Sequence, residues 1–159
     1  GILLASDDVG LTGLWFDGER YFAEGLDPEH TAQKTPILQQ AERWLEVYFS
    51  GREPGFTPPL HPMGSPFRQA VWELLLQIPY GQTTTYGALA KQLAEKQGRL
   101  RMSAQAVGGA VGHNRIAILI PCHRVVGTNG SLTGYAGGID KKEKLLRMEH
   151  VNMERFFVP

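Results

Sequence analysis

The stretch TTTYGALAKQLAEKQGRLRMSAQAVGGAVGHN, residues 83–114, reads as two short helices joined by a basic, glycine-containing turn. Tyr86, Leu89, Ala90, Leu93 and Ala94 recur at the spacing of one helical face, and Gly98 supplies the stop. Such a pair is what a helix-turn-helix looks like in sequence, although many helical domains contain one. The second helix is the more informative. Wound at about 100° per residue, Ala104, Val107, Gly108 and Val111 share an apolar face, while Gln105, Ala106, Gly109, Ala110 and His113 share the opposite one. That outer face is small and nearly uncharged. Each glycine costs a helix about 1 kcal/mol relative to alanine, so the pair needs a reason. Tight packing on a neighbouring helix is one, and close approach to something flat or narrow is the other. As a recognition helix, such a face would suit shallow, weakly sequence-selective contact rather than base-edge readout by long side chains. Arg99, Arg101 and Arg115 would then hold phosphates.

Upstream, REPGFTPPLHPMGSP (52–66) sets five prolines and two glycines between periodic segments, which places a boundary near residue 62. The expected division is an N-terminal scaffold over 1–62 and a second domain over 63–159. Before the boundary, ILLAS and LTGLWF read as strands, and Asp17-Gly18 as a tight turn into a further strand, ERYFAE. TPILQQAERWLEVYFSG then reads as a helix capped by Thr35, started by Pro36 and stopped by Gly51, with Ile37, Ala41, Trp44, Leu45 and Tyr48 inward. Nothing in this half looks catalytic. After the boundary, SPFRQAVWELLLQIP repeats the Ser-Pro helix start, and Pro79 ends it. VVGTNGSLTGYAGGI (125–139) has a strand-turn-strand flavour that suits a wing or an active-site loop. In DKKEKLLRMEH, Asp140 and Glu143 form a capping-box-like pair.

ILIPCHRVVG (118–127) holds the single cysteine of the chain, which excludes an internal disulfide and a thiolate zinc site. A cysteine is first a small buried hydrophobe. Against that, Pro121 ends the apparent strand AILI and so puts Cys122 at a strand end. His123 and Arg124 bring two potential cations, which would lower the thiol's pKa toward the thiolate. In a continuous strand Cys122 and His123 would point to opposite faces, so their contact needs a bend or a bridging water. Residue chemistry leaves both readings open.

Net charge is zero, which argues against generic polyanion binding, but the halves differ. Residues 1–62 carry four Lys/Arg against ten Asp/Glu, a net of −6, and residues 63–159 carry twelve against six, a net of +6. Only the second half would meet a polyanion; two surfaces that attract each other would give the same split. At 159 residues, 42% hydrophobic and 20% charged, the chain can bury a working core. No window approaches a membrane span, and no signal peptide opens the sequence. A lone reduced thiol suits a cytoplasmic or nucleoid-associated home. Because the chain opens on Gly1 and a strand-like run, further residues are expected upstream.

The residues also resemble a known family. IPCHRVVG (120–127), IPYGQTTTYGALA (78–90), AVGGAVGHN (106–114) and GYAGG (134–138) occur in the order and spacing of the O6-alkylguanine-DNA alkyltransferases, strongly over about 65–150 and weakly before it. The resemblance implies a ribonuclease-H-like α/β N-terminal domain and a mainly α, winged-helix-like C-terminal domain with a helix-turn-helix. It implies stoichiometric DNA repair: a single-turnover transfer of an alkyl group from O6 of guanine, or O4 of thymine, to Cys122, with the base flipped out of the duplex. No cofactor or metal is expected, and the protein would act as a monomer, with cooperative binding on DNA also open. His123 would take the thiol proton through a water, oriented by Glu149. Asn114 would brace the cysteine loop, and Tyr86 would donate a proton toward N3 of the departing guanine. Tyr135, Val125, Ala136 and Gly137 would line the base pocket. Gln105, Ala106, Gly109, Thr85, Arg115 and Arg124 would face DNA. Two positions depart from the pattern: Gln105 stands where many relatives have arginine, and Arg115 where many have proline, so a mobile Arg115 could replace the missing charge.

Two other classes fit parts of the sequence. A lesion sensor that binds without transfer would have no use for Cys122. A cysteine hydrolase would leave the helix-turn-helix unexplained and shows no oxyanion-hole motif.

Overall fold

The computed structural model describes all 159 residues. It is a mixed α/β fold in which the first half supplies a hairpin and one helix, and the second half four helices. Strands β1 (Ile2–Ser6) and β2 (Leu11–Phe16) pair antiparallel with Leu4 opposite Leu14, and a bulge falls between Ala5 and Ser6. Asp7 closes their turn by accepting from the backbone of Val9 and Gly10. β2 also ties the two halves together. Its Leu14 N–H donates to Arg115 and its carbonyl accepts from Ala117, while Leu11 bridges to Leu60.

Helix α1 (Pro36–Phe49) starts on the Thr35 side-chain cap and buries Ala41, Trp44, Leu45 and Tyr48 against the hairpin. Helix α2 (Pro66–Leu75), capped by Ser65, packs on α3 (Tyr86–Lys96), capped by Thr85, and on α4 (Ala104–Gly112), capped by Ser103. In each of the four the cap oxygen accepts from the backbone three residues on. α3 and α4 form the helix-turn-helix. Its connecting turn, Arg99-Leu100-Arg101, is fully at the surface. β3 (Thr84–Thr85) and β4 (Val125–Val126) make a short parallel pair, and α5 (Ile139–Met148) closes the core. One apolar cluster runs from Leu11 in β2 to Leu145 in α5 through α1–α4.

Several local expectations are corrected. ERYFAE is a run of turns rather than a strand, because Glu19 folds back to accept from Phe16 N–H and Arg20 N–H donates to Ala136. AILI is not a strand either. Asn114 captures the backbone at Ile116 and Ile120, Ile118 adopts a left-handed φ of 71°, and Cys122–Arg124 form a 3-10 turn. In VVGTNGSLTGYAGGI only Val125–Val126 is extended as a strand. The Asp140–Glu143 capping pair does not form: Gly138 is the N-cap, Asp140 lies inside the first turn, and Glu143 pairs with Arg147. On α4, Ala110 is buried and Ala104 exposed, the reverse of the assignment by winding, because Ala110 packs where Trp72 Nε1 donates to its carbonyl.

Candidate active site

Cys122 sits at the start of the 3-10 turn, 7% exposed. Asn114, just past α4, builds its surroundings: Oδ1 accepts from Ile116 N–H, and Nδ2 donates to Ile120 O at 2.8 Å and to Cys122 Sγ at 3.1 Å. One amide therefore shapes the loop and places a donor on the sulfur. Burial nevertheless pushes the thiol up to about 11, against the Asn114 hydrogen bond and the charge of Lys142, which both pull it down. The resting group is a neutral thiol, contrary to the expectation of a low pKa from its sequence neighbours.

His123 is fully buried. Its Nε2 lies 2.5 Å from Glu149 Oε2, and since a carboxylate only accepts, Nε2 carries the hydrogen. Glu149, at the C-terminus of α5, is saturated. Oε2 also accepts from the Tyr48 hydroxyl at 2.6 Å, and Oε1 from Arg124 Nε at 2.8 Å and Gly81 N–H at 3.1 Å. Burial would raise this carboxyl, but the His123 and Arg124 partners outweigh it and hold it at about 2. The imidazole itself is pushed down, by burial first and by the Arg124 and Lys142 charges, against the pull of Glu149. We assign a neutral imidazole beside an ionised Glu149, because the full charge of Arg124 already balances the carboxylate. Nδ1 is then the free basic nitrogen, buried and without a hydrogen-bond partner in the protein.

Lys142, unremarked in the sequence, is the cation whose charge bears on the Cys122 thiol. It is fully buried on α5, donates to Val125 O and to Thr133 O at 3.0 Å, and lies 5.8 Å from the centre of the Tyr86 ring. Burial lowers its pKa to about 8. In KKEKLL it is one lysine among three, and only its inward register toward Leu145 and Leu146 separates it from the others.

A cleft of about 540 Å³ opens between α4 and the Thr133–Ala136 loop. Tyr86, Gln105, Gly109, Tyr135 and Ala136 all line it. The Tyr86 hydroxyl donates to the carbonyls of Thr133 and Gly134, and burial raises it to about 12. Tyr86 and Tyr135 are both near enough for a thiolate at Cys122 to raise them further. Gly137 packs so closely that a Cβ would stand 2.9 Å from the rings of Phe16 and Tyr135. Val125 is buried, with its carbonyl held by Lys142. Ala106 is exposed on the outer face of α4, and half-buried Thr85 accepts from Ala88 N–H as the α3 cap.

Two arginines assigned to DNA are elsewhere. Arg124 is buried, donating to Glu149 and to Ile78 O. Arg115 donates to Met63 O, and its Nε is enclosed beneath Gly25, so it is not a mobile cation. The first half, expected to be scaffold only, reaches the site through Tyr48 on Glu149 and through Arg20 and Tyr21 at the cleft.

A nucleophile-bearing helix-turn-helix protein is the class that this fold and site define. Residues 66–151 match the family model for the 6-O-methylguanine DNA methyltransferase DNA-binding domain, and residues 1–62 that for its ribonuclease-like domain. A Methanosarcina acetivorans protein named methylated-DNA–protein-cysteine methyltransferase is 43% identical over 93% of this chain and 90% of its own. One of the same name from Haemophilus influenzae is 38% identical over 94% and 80%. Among solved structures, Mycobacterium tuberculosis OGT in complex with DNA superposes with a TM-score of 0.78 at 38% identity, covering 98% of this chain and 88% of that one. The chain belongs to the 6-O-methylguanine DNA methyltransferase family.

Proposed function

We propose that this protein repairs alkylated DNA by moving an alkyl group from O6 of guanine to Sγ of Cys122, once per molecule. The carrying observation is the buried line Glu149–His123, with Nδ1 of a neutral imidazole left without a partner in the residue that directly follows the neutral thiol of Cys122. A thiol near 11 needs a base at the moment of attack. His123 Nδ1 takes the proton through a bridging water, and Glu149 stabilises the imidazolium as it forms. Asn114 Nδ2 and the Lys142 charge stabilise the nascent thiolate. Sulfur bonds the alkyl carbon, the carbon–O6 bond breaks, and its electron pair goes to the purine. Tyr86, still protonated, supplies a proton at N3 and is reprotonated from the imidazolium by way of solvent. The resulting thioether has no second nucleophile to reverse it.

O6 lies within the base stack, so the target base is flipped into the cleft beside Tyr135 and Ala136. O4 of thymine presents the same alkyl ether and is a second substrate. The exposed, uncharged outer face of α4 favours the minor groove and weak sequence selectivity, with Arg99 and Arg101 on phosphates. The protein acts on DNA as a monomer. No helix is long and apolar enough to cross a membrane, and a lone reduced thiol fits a cytoplasmic or nucleoid-associated setting. Duplex DNA carrying a labelled O6-methyl group should pass its label to protein, up to one equivalent. Label accumulating in small soluble product over many turnovers would overturn the reading.

A further inference from the structure

The cleft has a third wall that neither helix-turn-helix nor thiol loop provides. The turns after β2, from Glu19 to Gly25, cross from one side of the cleft to the other. Arg20 N–H donates to Ala136 O at 3.1 Å on the loop side. On the helix side the Tyr21 ring stacks on His113 at 4.2 Å, and His113 Nδ1 meets Glu24 Oε2 at 3.4 Å. The Arg20 guanidinium lies 5.2 Å from the centre of the Tyr21 ring. Backbone and ring thus hold this side chain in place at the mouth.

Charge makes the placement informative. Among the residues lining the cleft Arg20 is the only arginine or lysine, and it comes from the half with net −6. α4 offers Gln105 and glycines to the same space, with no cation on the wall. Arg20 is exposed, enters none of the protein's ion pairs and makes no side-chain hydrogen bond to the protein. Its five donors are free beside the place where a strand must bend to deliver a base. A planar guanidinium with its donors unspent suits the paired oxygens of a phosphodiester.

Resting on the DNA-repair reading above, we propose that Arg20 binds a backbone phosphate next to the flipped nucleotide, so that the acidic N-terminal half supplies the cleft cation that α4 lacks. The interface then extends beyond the helix-turn-helix onto a segment outside it.

The test is the salt dependence of affinity for a duplex containing O6-methylguanine, with Cys122→Ala as the common background so that binding is read without transfer. Relative to that background, R20A should lower the log–log slope by about 0.9, the value of one lost phosphate contact. R20K should retain the slope, and R20A/Q105R should recover it by returning a cation to the opposite wall. Melting temperatures check that each variant is folded. An unchanged slope in folded R20A, or tighter binding, overturns the proposal and leaves the repair reading standing. If the background protein itself shows no saturable duplex binding, the repair reading fails and this proposal with it.

Discussion

At the scale of single residues, the site separates two tasks that the adjacent letters Cys-His-Arg seem to combine. In the proposed reading His123 serves the proton, while Arg124 donates to Glu149, and the cation whose charge lowers the thiol's pKa is Lys142. Replacing Glu149 by Gln removes the charge that favours imidazolium. Transfer should slow by about 10²-fold or more, in the range of general acid–base assistance, as single-turnover rates on methylated duplex will read. A second expectation concerns pH. The thiol is neutral below about 11, so its alkylation by iodoacetamide without DNA should climb steadily from pH 7 to 9 with no plateau. Lys142→Met removes a charge that lowers the thiol's pKa, so the profile should shift further toward alkaline pH. A plateau near pH 7 in the wild type would mean a resting thiolate. Neither the Lys142 nor the Arg124 assignment was legible in sequence, because their partners, Val125, Thr133, Ile78 and Glu149, are set by packing of distant segments.

At the scale of elements, the Thr35 and Ser65 caps, the helix stops and the two hairpin strands were readable, whereas the apolar run AILI was not. Thr35, Ser65, Thr85 and Ser103 cap their helices because a side-chain oxygen three residues from a free N–H is a local arrangement. AILI looked like a strand, but one asparagine amide took the backbone groups that a neighbouring strand would have needed. α4 answers the question posed by its glycines. A Cβ on Gly108 would make ordinary contact with the Tyr86 ring, while one on Gly109 would meet nothing within 4 Å. Internal packing does not require glycine at 109, and in the proposed reading its smallness allows close approach to DNA. Gly109→Ala should stabilise the protein by about 0.5–1 kcal/mol through helix propensity while weakening duplex binding. Denaturant melts and a binding isotherm on the same sample would check both signs, and a stabilised variant with undiminished binding would contradict this account of the helix.

At the scale of the whole molecule, the halves are joined through the site itself. Tyr48 of α1 donates to Glu149, 101 residues away in sequence, and β2 bonds to the chain on both sides of Ile116. Tyr48→Phe removes a hydrogen bond to a buried charge and should cost about 1.5–3 kcal/mol of stability, with slower transfer besides. Acid should act at the same place. The folded pKa of Glu149 lies below its unfolded value of 4.5, so its stabilisation is full above pH 4.5 and is lost as pH falls toward about 2. A Glu149→Gln variant should show a flatter acid-unfolding profile across that window. Sequence alone divided the chain near residue 62 and treated the first part as scaffold; the Tyr48 and Arg20 placements depend on how α1 and the turns after β2 pack on the second half, which no local pattern records.

The most direct test is the mass of the intact protein after incubation with O6-benzylguanine. One added benzyl group on every molecule, with free guanine released and no reaction in Cys122→Ala, is the expected result. An unchanged mass in folded protein, a label persisting in Cys122→Ala, or guanine released far beyond one equivalent would contradict the account.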